Sequence, residues 1–217
     1  MAEPLPSVFP VFPLTGVLLL PSSFLPLHIF EPRYRAMVED VAEEDRVIGM
    51  IQPLAPRQDN TPRPGDEGQR PDLYEIGCAG RIERLEPQTG GRFVIVLRGV
   101  SRFRVRRELE LCRGYRRVEA DCSEFSADLE EDQVEVDPLP LIAALQERRP
   151  GEVDLAQLEQ LPGHTVVNGL AAALPFSPAE KQALLEADGP LARRDLLTSL
   201  IAMVGERSSP DSDGVVH

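Results

Sequence analysis

The chain has 217 residues and is predicted to adopt an α+β fold, with an antiparallel β barrel or sandwich followed by a bundle of helices. Short apolar runs, broken by proline and glycine, fill residues 8–122 and predict many short strands. From about residue 138 the apolar residues recur at helical spacing instead. Strands that precede helices, rather than alternate with them, are typical of this fold class.

The first strands are rich in proline. Apolar runs at Val8–Phe12, Val17–Leu20 and Leu25–Ile29 predict three strands. Proline confines such strands to the edges, ends or bulges of a sheet, so we expect a crooked sheet or an open barrel. The same prolines argue against a membrane span in the charge-free run 4–29, because a spanning helix must pair every backbone group internally.

The central region continues as strands around one long loop. Strand patterns flank the turn sequence 87–91, which predicts a hairpin. The glycines of Gly77–Gly80 predict a bulge or a close backbone approach. The run Pro53–Asp72 has five prolines and no apolar periodicity, and it predicts a flexible loop. Replacing this loop by a short Gly-Ser turn should leave the melting temperature nearly unchanged, because longer loops add little closure entropy.

The C-terminal part is predicted to be helical. Its strongest local signal is Ser177-Pro178-Ala179-Glu180, a capping box with proline at the first helical position. The predicted organisation is a β domain with one helix at 1–125, an acidic connector at 126–137, a helical bundle at 138–205 and a flexible tail at 206–217.

The charge distribution limits the partners. A net charge of −13 argues against a phosphate backbone or a membrane surface as the main partner. The stretch Arg81–Arg117 is the exception, with 11 arginines against 4 acidic residues. It favours either an RNA-binding surface or a solvated strand face whose arginines meet acidic residues elsewhere, and its alternation with apolar residues favours the second.

The sequence offers little for catalysis, so we expect no catalytic residues, no metal site and no cofactor. The only lysine is Lys181, no phosphate-binding loop is present, and we expect this lysine to be solvated. His28 is expected to be a structural residue of a strand. The three cysteines match no zinc or redox spacing and indicate reduced thiols in the cytoplasm. We expect the pure protein to cleave no casein and hydrolyse no ATP.

Three ordered blocks resemble the N-terminal domain of Lon proteases. The first is Val8–Asp40, with Phe-Pro-Leu, Leu-Pro and Leu-Pro-Leu-x-Ile-Phe-Glu elements before an Arg-Tyr helix. The second is Gly77–Val105, with a Gly-Arg hairpin and a Gly-x-x-Arg-Phe strand, and the third is Ser177–Leu200. The chain departs from the family at Pro21-Ser22-Ser23, where a glycine is common, and in the loop Pro53–Asp72.

The resemblance implies a PUA-like β barrel followed by a helical bundle. It also implies a non-catalytic module that binds unfolded or exposed peptide segments of other proteins, or that acts as an adaptor for a separate protease or chaperone. Lon-type proteolysis is not carried over, because the match lacks the ATPase and peptidase domains. Two alternatives stay open at this stage: an RNA-binding module that uses Arg81–Arg117, and a hydrolase with dispersed catalytic residues.

The peptide-binding site is predicted on the β domain. Proline leaves strand edges unpaired there, and an edge beside apolar side chains can accept an extended segment. A place in the core is the alternative for all four predicted residues, and for Leu14 it is an equal one. The sequence indicates no membrane partner and no particular oligomeric state. The predicted peptide-binding residues are Leu14, Pro21, Phe24 and Pro26.

Overall fold

A computed structural model describes residues 4–54, 70–148, 155–158 and 160–207. Within them, strands and one helix come first and the remaining helices follow. Most of the predicted loop Pro53–Asp72 and nearly all of the predicted tail lie outside the described residues. The strands are β1 (Val8–Pro13), β2 (Phe24–Ile29), β3 (Val47–Ile51), β4 (Ile76–Gln88), β5 (Arg92–Glu108) and β6 (Arg116–Asp121). The helices are α1 (Pro32–Ala42), α2 (Leu139–Arg148), α3 (Leu155–Leu158), α4 (Gly163–Ala173), α5 (Pro178–Glu186) and α6 (Gly189–Arg207), with a 3₁₀ segment at Ser123–Gln133.

The sheet closes on itself through its longest strand. Its order is β2-β5-β4-β3-β1-β6, and a further pairing joins β5 to β6. The first part of β5 pairs with β2 and its last part pairs with β6. Five strands therefore form a closed pseudo-barrel, and β2 is added to it as a sixth strand. All pairings are antiparallel except that of β1 with β3, so the barrel is mixed.

Two aromatic rings fill the interior of the barrel. Phe9 of β1 and Phe103 of β5 meet edge to face, with ring centroids 5.0 Å apart. Both rings lie over glycines: a Cβ at Gly49 would be 2.9 Å from each ring, and one at Gly77 would be 2.5 Å from Phe103. A Cβ at Gly77 would also lie 2.6 Å from the Met50 carbonyl oxygen, which confirms the predicted close backbone approach, and a register shift after Ala79 gives the predicted bulge as well.

The main core lies between the sheet and the helices. One continuous cluster of buried apolar side chains includes residues of β1, β2 and α1 together with residues of α2, α4, α5 and α6. It also contains Leu18, Leu19 and Leu20, which belong to the loop between β1 and β2. The prediction of a strand at Val17–Leu20 was therefore wrong. A short apolar run looks alike in a buried strand and in a buried loop, so its pattern could not separate the two.

Helices α5 and α6 begin where local signals predict. Ser177 Oγ accepts from the Glu180 N–H at 3.3 Å, and the Glu180 carboxylate accepts from the Ser177 N–H at 2.8 Å. This confirms the capping box, with Pro178 in the first turn of α5. Helix α6 follows at Gly189, whose φ of +79° suits a residue without Cβ.

A buried ion pair joins the 3₁₀ segment to α6. The guanidinium of Arg193 is fully buried, and its Nη1 donates to Glu131 Oε1 at 2.6 Å and to Asn168 Oδ1 at 2.9 Å. Asn168 Nδ2 donates in turn to Glu131 at 3.1 Å and to the Pro21 carbonyl at 3.0 Å. The network therefore connects the predicted acidic connector, the helices and the loop that leads into β2.

A second buried ion pair joins β5 to the same 3₁₀ segment. Arg102 bonds Asp128 through Nε and Nη2, at 2.8 Å for the Nη2 contact, and its Nη1 donates to the Ala187 carbonyl at 2.7 Å. The Asp128 carboxylate also accepts from the Arg102 N–H at 2.8 Å. Because buried charges are costly unless they are paired, these contacts hold the barrel and the helices in one relative position.

Candidate functional site

Strand β2 forms an edge of the sheet. It pairs with β5 and with no other strand among the described residues. Two hydrogen bonds just before β2 determine which of its residues bond to β5. The Gly99 N–H donates to the Ser23 carbonyl at 2.8 Å, and the Ser22 N–H donates to the Gly99 carbonyl at 3.0 Å. In an antiparallel ladder, residues that bond the partner strand alternate with residues whose backbone groups face away from it.

This alternation directs every second backbone group of β2 toward the open side of the sheet. From the Ser23 carbonyl onward, the odd-numbered residues bond to β5, whereas Ser22, with a φ of +58°, lies in the turn before this regular ladder. The even-numbered residues Phe24, Pro26 and His28 therefore present their main-chain groups outward. Pro26 has no N–H to offer, and proline in an edge strand is found with its nitrogen on the unpaired side. The position of Pro26 therefore agrees with the assignment of the even-numbered residues to the side of β2 that faces away from β5.

The same even-numbered residues carry the exposed side chains of β2. Phe24 is 62% exposed, and Pro26 and His28 are exposed as well. Directly opposite Pro26 and His28 on β5 lie the half-buried Val96 and Val94, which share the outer face of the sheet. Phe30, just beyond the end of β2, is 64% exposed. We call this surface the β2 strip, and it consists of Phe24, Pro26, His28, Phe30, Val94 and Val96.

Charged side chains border the β2 strip. Arg98 lies opposite Phe24, and its Nε is 3.8 Å from a carboxylate oxygen of Glu83. Near the other end, Arg92 Nε donates to the Thr89 carbonyl at 3.1 Å. The strip is therefore an apolar surface with an arginine close to each end.

The Arg-rich face lies elsewhere, on β5 and β6, and most of its arginines pair with carboxylates. Arg104 bonds Glu124 at 2.6 Å and Glu75 at 2.9 Å, and Arg107 bonds Glu119 at 2.6 Å. Similar pairs are made by Arg106, Arg113 and Arg116 with Asp121, Asp40 and Glu108. The solvated face predicted as one reading of Arg81–Arg117 is observed, although Arg102 is buried.

A family model for the substrate-binding domain of the ATP-dependent protease La (LON) matches residues 8–203. The chain belongs to this Lon substrate-binding domain family. Its relatives include Lon protease 2 of Myxococcus xanthus, at 28% identity over 92% of this chain, and the Lon protease of Anaeromyxobacter dehalogenans, at 26% over 92%. The alignments cover 24% and 23% of those two proteins, so the chain spans about a quarter of their length.

Solved structures agree with the family assignment. The Lon N-terminal domain protein from Xanthomonas campestris matches 88% of this chain and 97% of its own, at 28% identity and a TM-score of 0.59. The N-terminal domain of Mycobacterium avium complex Lon protease matches 90% and 98%, with a TM-score of 0.58. At 18% identity this second match bears on the fold alone. Together they confirm an α+β fold with C-terminal helices, as the resemblance implied.

The structure separates the four residues predicted to bind peptide. Phe24 and Pro26 lie together on the β2 strip. Leu14 is half-buried against the main core, and its N–H donates to the Ile51 carbonyl at 3.0 Å. Pro21 is buried, and its carbonyl accepts from Asn168. Only two of the four therefore share one exposed surface.

The departure from the Lon pattern at Pro21-Ser22-Ser23 lies next to this surface. Ser22 has a φ of +58°, in the left-handed region where glycine is preferred, and the Ser23 N–H donates to the Leu20 carbonyl at 3.1 Å. Ser23 Oγ adds bonds to both the N–H and the carbonyl of Leu20, at 3.0 and 2.6 Å. The serine side chain thus stabilises a turn that a glycine would otherwise favour, and this turn sets the start of β2.

Three further members of the strip were not predicted. Phe30 was read only as part of a family motif, and Val94 and Val96 only as strand residues. The signal was present in the run Phe93–Leu97, where five consecutive apolar residues make both faces of the strand apolar. His28 was predicted to be a structural strand residue. It is exposed on the outer face because side chains at alternate positions of a strand share a face, and Phe24 and His28 are both even-numbered.

Lys181 does not lie where the sequence predicted. It is buried, and its Nζ donates to the carbonyls of Gly16 and Ala172, both at 2.9 Å. Burial lowers the pKa of this lysine. The expectation of a solvated lysine was wrong because α5 turns this side chain toward the loop after β1 rather than toward water. The lysine ties that loop to the helices.

Two of the three cysteines, Cys78 and Cys122, also lie in surroundings that suppress their reactivity. Burial raises the pKa of the Cys78 thiol well above its ordinary value and that of Cys122 to about 11, so both stay protonated at neutral pH. Among the described residues no group of three or more His, Cys, Asp or Glu side chains is arranged to hold a metal ion. No helix in the described part of the chain has the length and apolar character needed to cross a bilayer.

Proposed function

We propose that this protein is a non-catalytic, cytoplasmic module that binds unfolded or exposed polypeptide segments on the β2 strip. The observation that carries the proposal is an exposed apolar strip along a strand edge that no strand in the described part of the chain pairs with, in a member of the Lon substrate-binding domain family. Exposed apolar surfaces of this kind mark interaction sites. In the cell the module acts as an adaptor, presenting clients to a separate protease or chaperone.

The composition of the strip favours a polypeptide over RNA as the ligand. Phe24 and Phe30 are each more than half exposed, and the strip between them consists of proline, histidine and valine, with an arginine only near each end. The arginines of β5 and β6 mostly face carboxylates a short distance away, for example Arg104 with Glu124 at 2.6 Å. A phosphate backbone would have to displace these carboxylates on a protein with a net charge of −13.

A binding role also suits the groups that could otherwise act as nucleophile or base. Lys181 is engaged by two main-chain carbonyls, and the Cys78 and Cys122 thiols are held protonated by burial. The matched family model describes a substrate-binding domain over residues 8–203. The protease activity in the names of the relatives is therefore not assigned to this chain.

Binding is expected to be weak. A disordered segment loses conformational entropy when it becomes ordered on a surface, so the affinity per unit of buried area is low. The strip is short, since β2 has six residues and extends about 20 Å at roughly 3.3 Å per residue. A dissociation constant of about 1 μM or weaker is expected, which corresponds to about 8 kcal/mol or less of binding free energy.

Replacing Phe24 by Asp should weaken the binding of a labelled, permanently unfolded protein by about tenfold or more. The substitution puts a charge where the ligand would otherwise cover an apolar ring. Aromatic anchors commonly contribute about 1–2 kcal/mol or more to the binding free energy of an interface. The measurement is a fluorescence anisotropy titration at two salt concentrations. Binding to the strip should change little with salt, because its main contacts are apolar.

The matched control is Leu139→Asp on α2, which replaces an apolar side chain of similar exposure, 58%, outside the β2 strip. This variant should bind as the parent protein does. A labelled RNA, titrated in parallel, tests the alternative that RNA is the ligand, because RNA binding weakens steeply with salt. The proposal fails if RNA binds more tightly than the polypeptide, or if Phe24→Asp and Leu139→Asp bind equally well.

A further inference from the structure

The open side of β2 has main-chain donors and acceptors as well as apolar side chains. Because of the phase set at Ser23 and Gly99, the carbonyls of Phe24, Pro26 and His28 face outward, as do the N–H groups of Phe24 and His28. We propose that the bound segment adds to the sheet as a new strand beside β2, through these five groups. This inference rests on the function proposed above and specifies how the segment is held.

The side chains of β2 determine which segments fit. An added strand places every second side chain on the outer face, next to Phe24, Pro26 and His28. An apolar side chain there continues the surface that Val94 and Val96 begin on the other side of β2. The preferred ligand is therefore an extended segment of about six residues with apolar side chains at alternate positions.

The ends of the strip favour acidic flanks on this segment. Arg98 lies beside Phe24, its Nε is 3.8 Å from a carboxylate oxygen of Glu83, and both side chains are about half exposed. Arg92 near the other end donates to a neutral carbonyl. An Asp or Glu on either side of the apolar core of the ligand would meet one of these guanidinium groups.

Pro26 argues against a second copy of this chain as the occupant. A twofold pairing that uses all the outward residues of two β2 edges would centre on Pro26 and set it against the Pro26 of the other copy, so that two carbonyls face each other without a donor. Proline within an edge strand is a known protection against edge-to-edge pairing. A foreign segment avoids this arrangement, because the carbonyl that it places opposite Pro26 can be one that water reaches.

Selective N-methylation of a synthetic ligand tests this mode. The probe is a peptide of about seven residues with valine at alternate central positions, threonine between them and aspartate at each end. Methylation removes an amide N–H without removing a side chain. Methylating the alternate amides that face β2 should lower affinity for the full-length protein by about tenfold or more. Methylating the amides that face away from β2 should lower it by less than about twofold.

A protein variant gives an independent readout. Pro26→Val adds an outward N–H in the middle of the edge, so the unmethylated peptide should bind roughly fivefold more tightly. The variant should also self-associate at high concentration in analytical ultracentrifugation, whereas the parent protein should not self-associate through this edge.

The outcomes separate this inference from the proposed function. If the peptide and an unfolded protein both bind and both depend on Phe24, but methylation of either parity has the same effect, strand addition is wrong and binding by side chains stands. If neither ligand binds the parent protein, the proposed function itself fails. Strand addition is supported if methylating one alternate set of amides weakens binding much more than methylating the other, and if Pro26→Val binds the peptide more tightly.

Discussion

Arg193→Met is expected to lower the free energy of unfolding by about 3–5 kcal/mol. The substitution keeps an unbranched side chain only as far as the position of Nε, and it leaves the Glu131 carboxylate, which is 1% exposed, without its cationic partner. It also removes the donor to Asn168 Oδ1 and the Arg193 bond to the Leu184 carbonyl at 3.1 Å. Urea unfolding followed by circular dichroism measures the loss.

The double variant Glu131→Gln with Arg193→Met separates charge from packing. It removes both charges, while the new amide can still bond to Asn168, so stability should recover by at least about half of the loss. The slope of the unfolding free energy against urea concentration should stay unchanged in all variants. A single variant that costs less than about 1 kcal/mol, or a double variant no more stable than the single one, would contradict this account.

Gly99→Ala is expected to destabilise the protein by about 2–3 kcal/mol. A Cβ at this position would lie 2.0 Å from the Leu20 carbonyl oxygen and 2.8 Å from its carbon, so backbone must move rather than a flexible side chain. The same move disturbs two hydrogen bonds that begin the pairing of β2, from the Ser22 N–H to the Gly99 carbonyl and from the Gly99 N–H to the Ser23 carbonyl. Affinity for an unfolded protein should therefore fall together with stability.

Gly169→Ala is the matched control for this substitution. Gly169 is exposed in the middle of α4, and a Cβ there would meet nothing within 4 Å. Alanine in a helix is more favourable than glycine by about 0.5–1 kcal/mol, so this variant should be more stable than the parent and should bind equally well. If Gly99→Ala were as stable as the parent, the close packing of β5 against the loop before β2 would be wrong.

Local signals explain why the helical half and most strands could be predicted. The capping box at Ser177 and the glycines of the β4–β5 hairpin each specify a backbone geometry through a few neighbouring residues. The loop at Val17–Leu20 has no such signal: its three leucines are buried because the sheet and the helices close over them. Its sequence alone resembles a buried strand, and only the tertiary packing separates the two.

Buried charges were the least predictable feature. Arg193, Glu131 and Asp128 are residue types normally found at the surface, and nothing in their local sequence marks them as paired. Their partners are far away in the chain, and Arg193 and Glu131 are 62 positions apart. The same limit applies to the candidate site. Alternation alone places Phe24 and Pro26 on one face of β2, whereas the burial of Pro21 depends on a contact from Asn168 in α4.

Hydrogen exchange of single amides in the presence of an unfolded polypeptide tests the central claim most directly. By two-dimensional NMR, the N–H groups of Phe24 and His28 should exchange quickly in the free protein and slow down on binding. The amides of Leu25 and Leu27, already bonded to β5, should change little. Protection that appears instead on the Arg-rich face of β5 and β6 or on α2, with Phe24 and His28 unaffected, would contradict the assignment of the β2 strip as the polypeptide-binding surface.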